Sequence, residues 1–69
     1  MKEEIRKIIS ETLEVDIVDD ISPMYLDSLD VIDLVIKLED TYSIKINIRD
    51  LKRDISLNEL SVFISNLID

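Results

Sequence analysis

The 69-residue chain has no cysteine, no histidine and no glycine. Without cysteine there is no disulfide staple, no thiolate metal site and no protein thiol chemistry. Without histidine there is no imidazole general base and no histidine zinc ligand. Without glycine the phosphate-cradling glycine loops are excluded. Positive charge is scarce as well: 8 Lys and Arg stand against 16 Asp and Glu, a formal net charge of −8. That balance argues strongly against nucleic acid and anionic membrane as partners and favours either a basic partner surface or simple solubility. No apolar run approaches the ~20 residues of a membrane span, and no secretory signal is read at the start of the chain. The expected compartment is the cytoplasm.

What is present is aliphatic and charged. Hydrophobic residues make up 46% of the chain, 27 of those 32 are Ile, Leu or Val, and charged residues take 35%. Such a composition separates an inside from an outside and is globular rather than disordered. The length fits one domain, residues 1–69. A chain this short buries only about 60% of its unfolded surface and needs a dense core. A pocket that excludes water usually needs more chain, and the catalytic inventory is reduced to carboxylates, Lys, Arg, Tyr and Ser. A binding, carrier or adaptor module is therefore expected, not an enzyme, and no metal site.

The hydrophobic period is helical throughout. Ile5, Ile8, Ile9, Thr12 and Leu13 fall on one face of a helix over 3–14, with Glu3 and Glu4 in the first turn where the helix dipole favours negative charge. Residues 15–27 break the period with Asp16, Asp19, Asp20, Ser22 and Pro23. The aliphatics among them, Val15, Ile17, Val18 and Ile21, predict a loop lying over the core. A second helix spans 28–42, capped by Asp27 with Asp30 placed for a capping box. Residues 43–47 read as an extended linker. A short helix is expected from Asn47 through Arg53 with Ile48 and Leu51 inward. Ser56 and Glu59 form a capping box ahead of a last helix, 57–68, with Leu57, Leu60, Ile64, Leu67 and Ile68 as its apolar stripe. The fold class is all-α: a small antiparallel bundle of three main helices plus one short helix.

On a helical wheel of 28–42, Val31, Leu34, Val35, Leu38 and Tyr42 fall within about 100° and form the core face, with the Tyr42 hydroxyl reaching water. Ile32 flanks that face. Leu29 and Ile36 lie well off it, beside Asp33 and Asp40, with Glu39 not far away. Solitary surface aliphatics are ordinary. An apolar centre with a carboxylate rim also describes a docking surface for basic partners. On the docking reading, replacing Asp33 or Glu39 by Lys slows partner association with little effect on folding. Ser28 follows Asp27 at the loop–helix junction. A serine there is commonly just a cap. If Asp27 caps instead, the Ser28 hydroxyl is released to point outward at a helix N-terminus, where a phosphate is favoured.

The run Leu26-Asp27-Ser28-Leu29-Asp30, followed by Val31 to Tyr42 and by Ile44-Lys45-Ile46, resembles the acyl carrier protein family. That family carries Asp-Ser-Leu at the start of its second helix, then an amphipathic acidic helix ending in an aromatic. The likeness covers nearly all of the chain and is densest over 26–46. It implies that Ser28 accepts 4′-phosphopantetheine from coenzyme A through a phosphodiester, made by a separate phosphopantetheinyl transferase with Mg²⁺. The arm's thiol would then carry acyl or aminoacyl groups as thioesters, in fatty acid, polyketide or related biosynthesis. Asp27 would help present Ser28 to the transferase. Leu29, Asp33, Ile36, Glu39 and Asp40 would meet basic patches on acyl-transferring or condensing enzymes. Ile32, Leu34, Leu38 and Ile46 would line or border an apolar cleft for the acyl chain. The chain is expected to act as a monomer.

The chain departs from that pattern in places. Tyr25-Leu26 stand where a glycine usually precedes Asp-Ser-Leu, and the first connection is shorter than in typical fatty acid carriers. Arg49, Lys52 and Arg53 occupy a segment that such carriers usually keep acidic. The Leu-Asp-Ser stretch also resembles carriers of D-alanine or of standalone peptide synthesis. The alternative from another class is an acidic helical interaction module with no prosthetic group, in which Ser28 only caps. A calcium loop over Asp16, Asp20, Ser22 and Asp27 fails on Val18, on Ile21 in place of glycine and on the missing terminal glutamate. Asp30 and Asp33 as a hydrolytic carboxylate pair are better read as a solvated acidic face.

Overall fold

The computed structural model describes residues 1–68, so Asp69, the end of the expected single domain, lies outside the described residues. Three α-helices follow in order: α1 (Lys2–Leu13), α2 (Ser28–Tyr42) and α3 (Leu57–Ile68), with a 3-10 turn at Ile48–Asp50. α1 packs against both α2 and α3, and the 3-10 turn packs against α2. The Tyr42 hydroxyl, at the end of α2, donates to Glu4 Oε1 at 2.6 Å, which sets α1 and α2 antiparallel. Lys2 Nζ reaches Asn58 Oδ1 at 3.1 Å, so the start of α1 meets the first turn of α3.

Among the described residues, thirteen hydrophobic side chains are buried, and Ile5, Ile9, Leu34, Leu38, Leu57, Leu60 and Ile64 are fully so. Four of the thirteen, Leu26, Ile46, Leu51 and Ile55, come from the connections rather than the helices. The helices supply three apolar stripes, and the connections close the gaps between them. Truncating a fully buried Leu in such a core costs about 2–5 kcal/mol, a large part of what a domain this small has.

The three expected main helices are present, and both capping boxes close. Asp27 Oδ1 accepts from the Asp30 amide at 2.8 Å, and Asp30 Oδ2 from the Asp27 amide at 3.4 Å. Ser56 Oγ accepts from the Glu59 amide, and Glu59 Oε1 from the Ser56 amide, each at 3.1 Å. The helix ends show what the missing glycines cost. Glu14 after α1 and Ser43 after α2 both take left-handed backbone, with φ 55° and φ 54°, a conformation that costs a non-glycine residue about 1 kcal/mol.

Four expectations are corrected. α1 ends at Leu13 because Glu14 has already turned left-handed. The first connection does not lie down as a whole: Val18 is 94% and Ile21 76% exposed, and of the four aliphatics expected over the core, Val15, Ile17, Val18 and Ile21, Ile17 alone packs on it, while Met24 and Leu26 do so further along. Asp19 Oδ1 accepts from the amides of Ile21 and Ser22, a tight local turn that throws Ile21 outward. Its middle is held by polar contacts, with the Asp20 carboxylate on Lys2 and Arg6 and its carbonyl on the Asn58 amide. The short helix is only the 3-10 turn, which points Leu51 inward and leaves Ile48 exposed. Leu67 and Ile68 are exposed, because the stripe of α3 outruns the elements it packs against.

Candidate functional site

The N-terminus of α2 is set by its flanks. Asp27 has extended backbone, φ −88° and ψ 179°, and its carboxylate closes the first turn. Upstream, the Met24 amide donates to the Ile55 carbonyl and the Leu26 amide to the Arg53 carbonyl, both at 2.9 Å. The two connections therefore run side by side, and buried Leu26 anchors them to the core. Because Asp27 takes the capping duty, Ser28 is left exposed with a hydroxyl that caps nothing. Its one hydrogen-bond partner is unexpected: Arg53 Nη2 donates to Ser28 Oγ at 2.9 Å. The side-by-side connections bring these two together from 25 residues apart in sequence.

The outer face of α2 gathers four of the five expected docking residues. Leu29, 72% exposed, and Ile36, 60% exposed, lie in line with exposed Asp33 and Asp40, one helical face running back from Ser28. Glu39 stands apart. It is half-buried, and its Oε2 accepts from the Ile46 amide at 2.7 Å, tying the following linker to α2. The residues expected around an apolar cleft separate too. Leu34 and Leu38 are fully buried, Ile46 is 8% exposed and Ile32 42% exposed. The first three are packed into the core. An open cavity of about 370 Å³ lies elsewhere, beneath the first connection, lined by Leu13, Ile17, Met24 and Leu26 with Asp30 at its edge.

Electrostatics concentrate on structural pairs. The Lys2 ammonium, and then Arg6, hold the Asp20 carboxyl below the ordinary carboxylate range against the opposing effect of burial. Lys52, 3.0 Å from Glu59, lowers that carboxyl, with help from the Ser56 amide. Burial, and then the Glu4 carboxylate to which it donates, push the Tyr42 hydroxyl up to about 12. The acids of the first connection do not converge: Asp20 turns to α1, Asp27 caps α2, and no cluster of three metal-ligating side chains occurs among the described residues. No helix among those residues is long and apolar enough to cross a membrane.

Residues 3–64 match the family model described as the phosphopantetheine attachment site. The chain belongs to that family. Neither the curated proteins nor the solved structures yield a match. Membership makes the chain a carrier of covalent 4′-phosphopantetheine, attached through a serine, and accounts for the all-helical bundle. Carrier domains of this family deliver to enzymes and are generally not catalysts themselves. The molecule fits the group: a phosphodiester needs a hydroxyl that is reachable, not engaged in the backbone and tolerant of an anion. Of the seven serines, Ser56 is buried in its cap, and Ser10, Ser61 and Ser65 spend their hydroxyls on Val15, Leu57 and Met1. Ser22 bonds the Asp19 carboxylate, and Ser43 sits at the negative end of α2. Ser28 is exposed, at the positive end of α2, with a cation on its oxygen.

Proposed function

We propose that Ser28 is the residue that carries the 4′-phosphopantetheine arm, and that residues 1–69 act as one non-catalytic, monomeric carrier domain in the cytoplasm. The observation that carries this is the closed capping box of Asp27 and Asp30, which frees the adjacent hydroxyl at the helix start. The arm supplies a thiol on which acyl or aminoacyl groups ride as thioesters. The chain's own residues hold and present it. Asp27 fixes the first turn of α2 and so the direction of the Ser28 side chain. Leu29 and Ile36 offer an apolar centre, and Asp33 and Asp40 a rim that steers basic surfaces of a phosphopantetheinyl transferase and of acyl-transferring or condensing enzymes. Glu39 serves that surface from behind, by fixing the linker. Ile32 borders the face, and the buried Leu34, Leu38 and Ile46 support an acyl cleft only if the core opens around a chain. The biosynthetic setting is that of fatty acids, polyketides or related acyl chains.

Coexpression with a promiscuous phosphopantetheinyl transferase, followed by intact-mass measurement, tests this. Wild type gains one pantetheine-phosphate increment. Ser28→Ala gains none and stays folded, since Ser28 is exposed and serves no cap. Folded wild type that gains nothing would instead support an acidic interaction module.

A further inference from the structure

The Arg53 contact stands out because of its setting. Ser28 sits in an anionic neighbourhood, with Asp27 before it and Asp30 in the same first turn, on a chain of net charge −8. Any anion attached to its oxygen meets repulsion from both carboxylates. Arg53 is the cation in contact with that oxygen, at 2.9 Å. Its neighbour Lys52 is committed to Glu59, 3.0 Å away. Nor is the guanidinium's position accidental. The carbonyl of Arg53 accepts from the Leu26 amide two residues before Ser28, so the backbone that bears the guanidinium is fastened to the backbone that leads into α2.

A neutral hydroxyl gains little from a solvated guanidinium, because water serves both groups nearly as well. A phosphodiester gains more. It offers a formal negative charge and unesterified oxygens, and the planar fork of arginine donors matches such oxygens in charge and shape. Adding phosphorus to Ser28 Oγ places those oxygens one bond beyond the atom that Arg53 already touches.

We propose that Arg53 is a phosphate-anchoring, positioning residue. It grips the root of the prosthetic arm once Ser28 is loaded, offsets the carboxylates of Asp27 and Asp30, and narrows the directions in which the arm leaves the helix. This rests on Ser28 being the loaded residue. It also gives a role to basic character in a connection where acidic residues were expected. The competing explanation is a plain strap, in which Arg53 only ties its connection to α2 and the prosthetic group is indifferent to it.

The test compares apo and holo forms of wild type, Arg53→Gln and Arg53→Lys, with loading verified by intact mass. The first readout is the ³¹P resonance of the phosphodiester. In wild type it shifts between 0.05 and 1 M NaCl as the ion pair is screened; in Arg53→Gln it begins at the high-salt position and stays there. The second is the rise in melting temperature on loading, about 2–4 °C in wild type for one partly solvated pair in a domain this small. It falls to about zero in Arg53→Gln and is intermediate in Arg53→Lys, while the three apo forms melt together. An unchanged ³¹P signal with an unchanged rise in Arg53→Gln overturns the anchor. So does an apo form of Arg53→Gln that loses as much stability as its holo form, which is the signature of a strap. Wild type that fails to load on Ser28 removes this inference and the proposed attachment residue together, and the mass measurement identifies that failure separately.

Discussion

Glu39 and Asp33 look alike in sequence, two acids on one amphipathic helix, and the fold gives them different work. Asp33 is exposed, whereas Glu39 holds the Ile46 amide at 2.7 Å from a half-buried position. A hydrogen bond to an ionised acceptor contributes about 1.5–3 kcal/mol, and breaking this one leaves a partly buried amide unpaired. Glu39→Lys is therefore expected to lower stability by about 2 kcal/mol, against the wheel-based expectation of little effect. Asp33→Lys should stay within about 0.5 kcal/mol of wild type. Urea unfolding of the two variants checks the difference, and equal midpoints would place Glu39 back on the open face. Ser28 shows the same lesson in reverse. Its exposure was legible because Asp27 and Asp30 spell out a capping box. Its partner was not, because nothing in the spacing of residues 28 and 53 says that two irregular segments will lie side by side.

At the scale of elements, the three helices were readable because each carries its own evidence: a 3.6-residue apolar period, and for α2 and α3 a capping box within four residues. The connections carry no such period. Leu26 and Ile55 are core residues without a pattern to mark them; Val18 and Ile21 look like core but are exposed, Ile21 because it lies in a turn set by Asp19. The helix ends hold a reserve of stability. Ser43 has φ 54° and ψ 46° and its amide still reaches the Glu39 carbonyl. Ser43→Gly removes the left-handed penalty at the cost of a more flexible unfolded chain, and is expected to gain about 0.5 kcal/mol. A higher urea midpoint at unchanged slope is the measure. A lower midpoint would show that unfolded-chain entropy outweighs the relieved strain.

At the scale of the molecule, charge and size act together. The chain packs a net charge of −8 into principal extents of 28 × 23 × 19 Å. Most of its charges thus lie within two or three Debye lengths of one another at 0.1 M salt, where that length is about 10 Å. Self-repulsion opposes the compact state, so the melting temperature is expected to rise by several degrees between 0.02 and 0.5 M NaCl. The attractive pairs among the described residues, Asp20 with Lys2 and Arg6, Glu3 with Arg6, Glu11 with Lys7 and Glu59 with Lys52, pull the other way and leave most of the acids unpaired. A melting temperature that falls with salt would mean that these pairs, and not the excess of acids, dominate.

The two amide-to-carbonyl bonds that join residues 24–26 to 53–55 have a mechanical consequence. With the arm on Ser28, as proposed, a tug on it would not be borne by one strand of chain but shared between the stretch leading into α2 and the stretch leading into α3. On that proposal the root of the arm would be stiffly held, and the slack a partner needs to bring cargo to its own reacting groups would come from the tether.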